Sequence, residues 1–340
     1  MIRLDNLTKT FTTPAGTVTA ADHINMDVAE GEICILLGPS GCGKTTTLKM
    51  VNRIIPPSSG KVFLNDKDTS GLDAITLRRQ IGYVIQQIGL FPNMTVGENV
   101  GVVPRMLGWD KQKIRKRTEA LLEMVALDPA VFYRRYPKEL SGGQQQRIGV
   151  ARALAADPPV LLMDEPFGAI DPINRGIIQD EFLRMQEKLG KTILFVSHDI
   201  DEAVKMGDKI ALFREGRLQQ FDTPDRVLAH PANDFIADFV GTDRTLKRLR
   251  LVRVGEIMQA DPPATAAARH ESAAAASSGP HVVIHATDDL RVAVSQMFTQ
   301  DLSCVPVVDE EGRCCGYLTH QAITRKLNET YLDDDQGLAP

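Results

Sequence analysis

Residues 32–45 read EICILLGPSGCGKT, and this stretch decides the fold of the first two-thirds of the chain. Its apolar run, Ile33–Leu37, is short and bounded by a glycine, which predicts a buried strand of a parallel sheet. The segment that follows, TTLKMVNRI over residues 46–54, has a helical pattern. Between them stands G-x-x-x-x-G-K-[ST], whose backbone N–H groups surround phosphate oxygens at the start of a helix. The sequence therefore predicts a phosphate-binding loop in an α/β fold.

The residues of this loop have separate expected roles. Its backbone must come close to the phosphates, and glycines leave the room for that approach. Lys44 is expected to contact the β- and γ-phosphates of a nucleotide, and the hydroxyl of Thr45 to ligate Mg²⁺. The predicted nucleotide-binding residues of the loop are Gly38, Ser40, Gly41, Cys42, Gly43, Lys44, Thr45 and Thr46.

Two further apolar runs, Val160–Met163 and Thr192–Val196, also predict buried parallel strands, and the first of them ends in the acidic pair Asp164 and Glu165. At the carboxyl end of a strand, Asp164 can hold Mg²⁺ through its water shell, and Glu165 can polarise an attacking water as a general base. Paired acids after a strand can also cap a helix, but the phosphate loop upstream favours the catalytic interpretation. Together the two motifs predict a P-loop nucleoside triphosphatase.

Residues 140–144 read LSGGQ and are followed by QQRIGVARAL. A serine hydroxyl, two glycines and exposed N–H donors are typical of a helix N-terminus that binds an anion. The predicted residues of this second anion site are Ser141, Gly142, Gly143 and Gln144. Since one fold would not readily direct two such sites at one nucleotide, we expect the second to bind the γ-phosphate held by another copy. The expected assembly is a head-to-tail homodimer with two ATP molecules between the subunits.

The LSGGQ segment and the downstream ARAL resemble the signature of ATP-binding cassette (ABC) ATPases. The resemblance covers roughly residues 1–240 and implies a P-loop cassette with a helical signature subdomain, with ATP and Mg²⁺ as ligands. It assigns Gln86 to the loop that senses the membrane partner and ligates Mg²⁺, with Gln87 the weaker choice. Asp171 matches the loop that crosses the dimer interface, and His198 matches the switch histidine on the γ-phosphate. Phe11 falls where a ring stacks on adenine, although tyrosine is more usual there.

The resemblance implies that this ATPase works at a membrane, and its composition predicts no spanning segment of its own. The chain has a net charge of -5, which gives no general attraction to nucleic acid, and no nucleic-acid partner is expected. We find no apolar run of spanning length and no signal-peptide core, and five cysteines without a metal-binding spacing indicate a reducing compartment. The expected location is peripheral, on the cytoplasmic face of the plasma membrane. The resemblance implies integral-membrane permease subunits and an extracytoplasmic substrate-binding protein as partners.

The C-terminal third has a different character. Residues 241–280 combine a basic linker, TDRTLKRLRLVRVG, with an Ala/Ser-rich insertion, and residues 328–340 form an acidic tail. Residues 281–327 predict strand, helix, strand, strand and helix, a small α+β domain that resembles a single CBS repeat, with an opening element near 253–258. CBS repeats normally pair, so one copy leaves an apolar face that a second chain could cover, and the domain is expected either to regulate or to dimerise.

A cassette with a CBS tail is similar to the ATPases of importers for quaternary amines, the glycine betaine, choline and carnitine group. In that group the tail can respond to ionic strength, and the basic residues Lys247, Arg248, Arg250 and Arg253 could either meet anionic lipid or form a solvated linker helix. An importer of another solute, such as methionine or a polyamine, or an exporter, stays open because solute contacts lie in other subunits. A cassette acting on DNA or the ribosome is less favoured, since the chain has neither a long coiled coil nor a second cassette.

Overall fold

The computed structural model describes residues 1–14, 16–85, 89–168, 170–260 and 283–329. The chain divides into two compact units, Met1–Thr223 and Pro224–Pro340. The predicted boundary of the ATPase domain, after residue 240, stays a prediction, and it places residues 224–240 with the first unit. In the structure these residues form helices whose contacts include the linker helix Arg244–Arg248, within the second unit.

The first unit contains two sheets. The strands are β1 (Ile2–Thr13), β2 (Gly16–Val28), β3 (Ile33–Leu37), β4 (Ser59–Leu64), β5 (Lys67–Asp68), β6 (Ile81–Val84), β7 (Val160–Asp164), β8 (Thr192–Val196), β9 (Lys209–Arg214) and β10 (Arg217–Asp222). Over the described residues one sheet has the order β2-β1-β4-β5 and is antiparallel. The other has the order β10-β9-β3-β8-β7-β6, and all of its strands except β10 run parallel.

The helices of the first unit are α1 (Lys44–Val51), α2 (Ala74–Arg79), α3 (Val96–Val100), α4 (Val102–Met106), α5 (Lys111–Met124), α6 (Pro129–Phe132), α7 (Gly142–Leu154), α8 (Pro172–Leu189) and α9 (Ile200–Met206). Short 3-10 turns lie at Thr69–Gly71 and Pro137–Glu139. In the part of the chain that the structure covers, no helix is both long and apolar enough to cross a bilayer.

The three central strands position the functional site. Every residue of β3, β7 and β8 is buried, as expected for parallel strands covered on both faces, so the predicted buried strands are confirmed. Their register pairs Leu36 with Val196, and Val196 with Asp164. Parallel strands in this register end together, and the residues that follow them therefore meet at one edge of the sheet.

Two apolar layers hold this sheet. On one side, a core that includes Ile2, Leu7 and Leu48 joins the antiparallel sheet and α1 to the inward residues of β3 and β8. Elsewhere the ring of Phe167 meets those of Phe182 and Phe195 edge to face, with centroids 5.9 and 5.7 Å apart. Such pairs add about 1 kcal/mol each beyond the area they bury. The loop after β7 is therefore anchored by an aromatic ring and not only by the strand.

A buried asparagine shapes the start of the helical segment that runs from α3 to α7. Asn99 is fully buried, and its amide nitrogen donates to the carbonyl oxygens of Phe91, Met94 and Thr95, at 3.0–3.1 Å. Its side-chain oxygen accepts the Phe91 N–H at 2.8 Å. These bonds fix the loop before α3, while the Phe91 side chain stays 46% exposed. The ring of Phe91 is therefore available at the surface and is not part of the core.

The second unit is a small α+β domain. Its helices are α10 (Pro224–Ala229), α11 (Asp234–Val240), α12 (Arg244–Arg248), α13 (Val254–Ile257), α14 (Leu290–Thr299) and α15 (His320–Glu329), and its strands are β11 (Ile284–His285), β12 (Cys304–Val308) and β13 (Cys314–Thr319). The strands pair in the order β11-β12-β13. From β11 onward the elements follow the predicted order, and α13, the predicted opening element, packs its Val254 into their core. The Ala/Ser-rich stretch and residues 330–340 of the acidic tail lie outside the described residues.

Two cations of the basic linker make hydrogen bonds and ion pairs within the second unit. The Arg248 side chain is 4% exposed, and its guanidinium donates to both carboxylate oxygens of Asp225 and to the carbonyl oxygen of Leu327. Lys247 donates to the carbonyl oxygen of Val240 and pairs with Asp243. The predicted linker helix is therefore present as α12, but these two of its cations are largely buried in contacts within the unit and are presented neither to a lipid surface nor to solvent.

We predict that Arg248→Ala lowers the free energy of unfolding of the second unit by about 2 kcal/mol, since it leaves the partly buried Asp225 carboxylate without its cation. The single tryptophan, Trp109, lies in the first unit, so its fluorescence reports that unit alone. Urea unfolding followed by far-UV circular dichroism should show an earlier transition, while the Trp109 transition stays in place. The matched control is Arg291→Ala, at an exposed position of α14. Equal behaviour of the two variants would contradict the structural role of Arg248.

Candidate functional site

The phosphate loop, Gly38–Thr45, joins β3 to α1, as predicted. Its crest from Pro39 to Gly41 is exposed, whereas Cys42, Gly43 and Lys44 are buried, and Thr45 and Thr46 are partly exposed. Gly38, Gly41 and Gly43 have φ of 142°, 79° and 104°, values that favour glycine. A Cβ on Gly43 would lie 2.1 Å from the carbonyl oxygen of Ala20. Gly43 is thus required by a neighbour that supports the loop, in addition to the close approach to a phosphate that the motif predicts.

A tight turn between β9 and β10 supports the loop from outside. The Gly216 N–H donates to the Cys42 carbonyl oxygen at 3.0 Å, and the Gly216 carbonyl accepts the Asp22 N–H at 2.8 Å. Glu215 and Gly216 have φ of 50° and 81°. We did not predict this support from the sequence, and the available signal was the Glu-Gly pair directly after the apolar run of β9.

The side chains of Lys44 and Cys42 are buried within the loop. The Lys44 ammonium donates to the carbonyl oxygens of Gly38 and Pro39, at 2.6 and 2.9 Å. The Cys42 thiol lies 3.7 Å from the same ammonium. Burial raises the pKa of the Cys42 thiol, although the Lys44 charge opposes the shift. Cys42 therefore contributes to the loop through its backbone, with a protonated thiol packed beneath it.

Two oxygen ligands from separate motifs meet at the sheet edge. The Thr45 hydroxyl donates to the Asp164 carboxylate at 2.9 Å, although the two residues are 119 positions apart. Burial raises the pKa of Asp164, and the Thr45 hydrogen bond and the Lys49 and Lys44 charges oppose that rise. A buried carboxylate next to a hydroxyl is a hard oxygen pair of the kind that Mg²⁺ takes together with substrate phosphates. These residues therefore fit the predicted metal.

The predicted general base and switch histidine are also brought together. Glu165 follows β7, with its N–H bonded to the Val196 carbonyl oxygen at 3.0 Å and with φ of 46°. Such a left-handed conformation costs a non-glycine residue about 1–2 kcal/mol and is characteristic of functional sites. His198 follows β8, and its Nδ1 lies 3.5 Å from Glu165 Oε1. The imidazole side chain is 60% exposed and can reach a ligand at this edge.

The LSGGQ segment has the predicted helix N-terminus. Ser141 is the N-cap of α7: its hydroxyl accepts the Gln144 N–H, and the Gln144 side-chain oxygen accepts the Ser141 N–H. Ser141 and Gly142 are exposed. A Cβ on Gly143 would contact Ile178, so the start of α7 lies against α8. This arrangement leaves the tip of the signature accessible to a ligand from outside.

The remaining predicted residues are distributed as follows. The exposed Asp171 ends the loop after β7, and its carbonyl oxygen accepts the Arg175 N–H in the first turn of α8. Phe11 lies on β1 opposite Val18, with its ring 38% exposed and the Lys9 ammonium 5.1 Å from the ring centroid. Gln86 and Gln87 lie outside the described residues.

Comparison with known proteins identifies the architecture. The family described as ABC transporter matches residues 21–168, and the CBS domain family matches residues 254–329. The osmoprotectant import ATP-binding protein of Salmonella typhimurium is 52% identical over 96% of each chain. The carnitine transport ATP-binding protein of Listeria monocytogenes is 45% identical over 95% of this chain and 76% of its own.

Solved structures agree with this. The dimeric ATP-binding cassette MJ0796, bound to ADP and phosphate in a post-hydrolysis state, has a TM-score of 0.60 and 35% identity, covering 66% of this chain and 99% of its own. The predicted resemblance and fold class are confirmed, and ATP binding follows from them. The chain belongs to the ABC transporter family, as an ATPase that carries a CBS domain after its nucleotide-binding unit.

Proposed function

We propose that this ATPase is the motor subunit of an importer for osmoprotectant quaternary amines of the glycine betaine, choline and carnitine group. One observation carries the solute assignment, the 52% identity over 96% of the chain with an osmoprotectant import protein. Relatives named for carnitine and for choline transport, at 45% and 43% identity, support the same class. The nucleotide site does not discriminate solutes, since its residues face phosphate.

ATP binding is proposed to use the loop described above. The backbone of Gly38–Gly43 and the Lys44 ammonium bind the phosphates, with Ser40 and Thr46 at the loop's crest and end. Thr45 and Asp164, with Gln86, would ligate Mg²⁺, which when bound neutralises charge on the β- and γ-phosphates. The 2.9 Å contact between Thr45 and Asp164 supports this pairing. The exposed ring of Phe11 provides a face for adenine.

Hydrolysis is proposed to use Glu165 and His198. The Glu165 carboxylate accepts a proton from a water whose oxygen attacks the γ-phosphorus, and the bond from that phosphorus to the ADP oxygen breaks. His198 donates to the γ-phosphate from a position next to Glu165. The 3.5 Å separation of the two side chains supports their action on one phosphate.

The second half of each site is proposed to come from a partner copy. Ser141–Gln144 would bind the γ-phosphate held by the other subunit, and Asp171 would lie in the loop that crosses the interface. The exposed N-cap of α7 supports this assignment, because its N–H donors can meet an anion from outside the chain. Closure on ATP and reopening after hydrolysis would then drive integral-membrane permease subunits that receive solute from an extracytoplasmic binding protein. The ATPase would sit peripherally on the cytoplasmic face, with the CBS unit as a regulator or a second dimer contact.

We predict that Glu165→Gln lowers the rate of ATP hydrolysis by about 100-fold or more while ATP affinity changes little, because the amide cannot accept the proton of water. Phosphate release and nucleotide titration measure the two quantities. The matched control is Glu187→Gln at an exposed position of α8, which should leave both unchanged. Hydrolysis by Glu165→Gln at the unmodified rate would remove Glu165 from the mechanism.

The solute assignment predicts that glycine betaine or choline stimulates ATP hydrolysis when the chain is reconstituted with its co-purifying permease and binding protein. Separate reactions with methionine or a polyamine serve as controls, because these are the solutes of the alternative importers. Stimulation by a quaternary amine alone, and its dependence on ionic strength, would support both the solute and a regulatory CBS unit. Stimulation by methionine or a polyamine instead would discard the solute class and leave the ATPase assignment intact.

A further inference from the structure

Behind the switch histidine lies a buried carboxylate that the mechanism above does not use. Glu202, in the first turn of α9, is 7% exposed. Its Oε2 accepts the Ser197 hydroxyl at 2.5 Å, and its Oε1 accepts the Gln179 amide at 2.9 Å. Ser197 and Gln179 are themselves buried, at 2% and 5% exposure. The three side chains form a closed polar cluster under the loop that carries His198.

The hydrogen bonds of this cluster have a fixed direction. The Asp199 N–H can only donate, and it donates to the Ser197 oxygen at 3.1 Å. The Glu202 carboxylate can only accept, so the Ser197 hydroxyl directs its own hydrogen to Glu202, which accepts from both of its partners. Ser197 and Asp199 flank His198 in the sequence. The Ser197 hydroxyl, which Glu202 orients, links these two flanking residues. The Ser197 N–H is further bonded to the Leu36 carbonyl oxygen at 3.0 Å, which attaches the loop to β3.

The same cluster joins the loop to α8. Gln179 lies one turn after Arg175, whose guanidinium is 3.6 Å from the Asp199 carboxylate. Further along, Lys205 of α9 pairs with Asp180 at 2.6 Å. Helix α8 begins directly after Asp171, the residue proposed to lie at the subunit interface. Polar contacts thus connect the helix that follows the interface loop with the loop that holds His198.

We propose that Glu202 is a positioning residue for His198, and that its bond to Gln179 couples the placement of the histidine to helix α8. This inference rests on the proposed role of His198. Burial raises the pKa of Glu202, and the Ser197 and Gln179 hydrogen bonds oppose that rise. A buried carboxylate stabilises a fold less than apolar side chains of the same volume would. We therefore infer that Glu202 serves to orient its hydrogen-bond donors.

The test uses variants of the full chain that rearrange the donors without changing shape. In Glu202→Gln, one of the two acceptor oxygens becomes an amide N–H, so either the Ser197 hydroxyl or the Gln179 amide must leave its present orientation to make a hydrogen bond. We expect kcat for ATP hydrolysis to fall about tenfold while KM for ATP changes less than about twofold, because the phosphate loop is untouched. The exchange variant Gln179→Glu with Glu202→Gln restores an acceptor for each donor, and should recover most of the lost rate. An unchanged kcat in Glu202→Gln, or no recovery in the exchange variant, would overturn the proposal.

A His198→Ala background separates positioning from a general loss of structure. If Glu202 acts through His198, adding Glu202→Gln to His198→Ala should change kcat by less than about twofold. A further tenfold loss would contradict the proposal. If Glu202→Gln does not fold, Ser197→Ala, which removes only the hydroxyl, should show the same tenfold fall, and normal kcat in that variant would refute the positioning role. Full activity of His198→Ala alone would instead refute the proposed role of the histidine.

Discussion

The parallel register of β3, β8 and β7 is the constraint on which the nucleotide site depends. It pairs Leu36 with Val196 and Val196 with Asp164, so that the chain leaves all three strands at the same level. The phosphate loop follows β3, the acidic pair stands at the end of β7, and His198 comes after β8. A shift in the pairing of one strand would move its functional residue by about 3.3 Å per position. Complete burial of the three strands on both faces makes such a shift costly, since it would displace a packed core.

The local part of this design can be predicted from sequence. Short apolar runs predict β3, β7 and β8, and the motif spacing predicts the loop and the N-cap at Ser141. Each of these features is encoded within about ten consecutive residues. Their confirmation in the structure follows from that locality.

The supports of the site could not be predicted, because they join residues far apart in the chain. The turn at Gly216 holds the loop at Cys42, and Glu202 orients Ser197 through a side-chain bond. The left-handed backbone of Glu165 accompanies its N–H bond to the Val196 carbonyl oxygen, which no local pattern shows. In the second unit the basic residues of the linker were expected to be exposed to lipid or solvent, whereas Arg248 is buried against Asp225. Charge patterns in a sequence do not reveal which cations find an anion on folding.

Each active site is proposed to be shared between two copies of the chain. Mixing two inactive variants tests this sharing directly, one with Lys44→Ala in the phosphate loop and one with Ser141→Arg in the signature. Each variant alone should hydrolyse little ATP, because each of its own sites lacks one half. The mixture should recover up to about a quarter of the unmodified rate, since about half of the dimers then contain one complete site. A mixture no more active than its components would contradict the shared site and place both motifs on the same nucleotide.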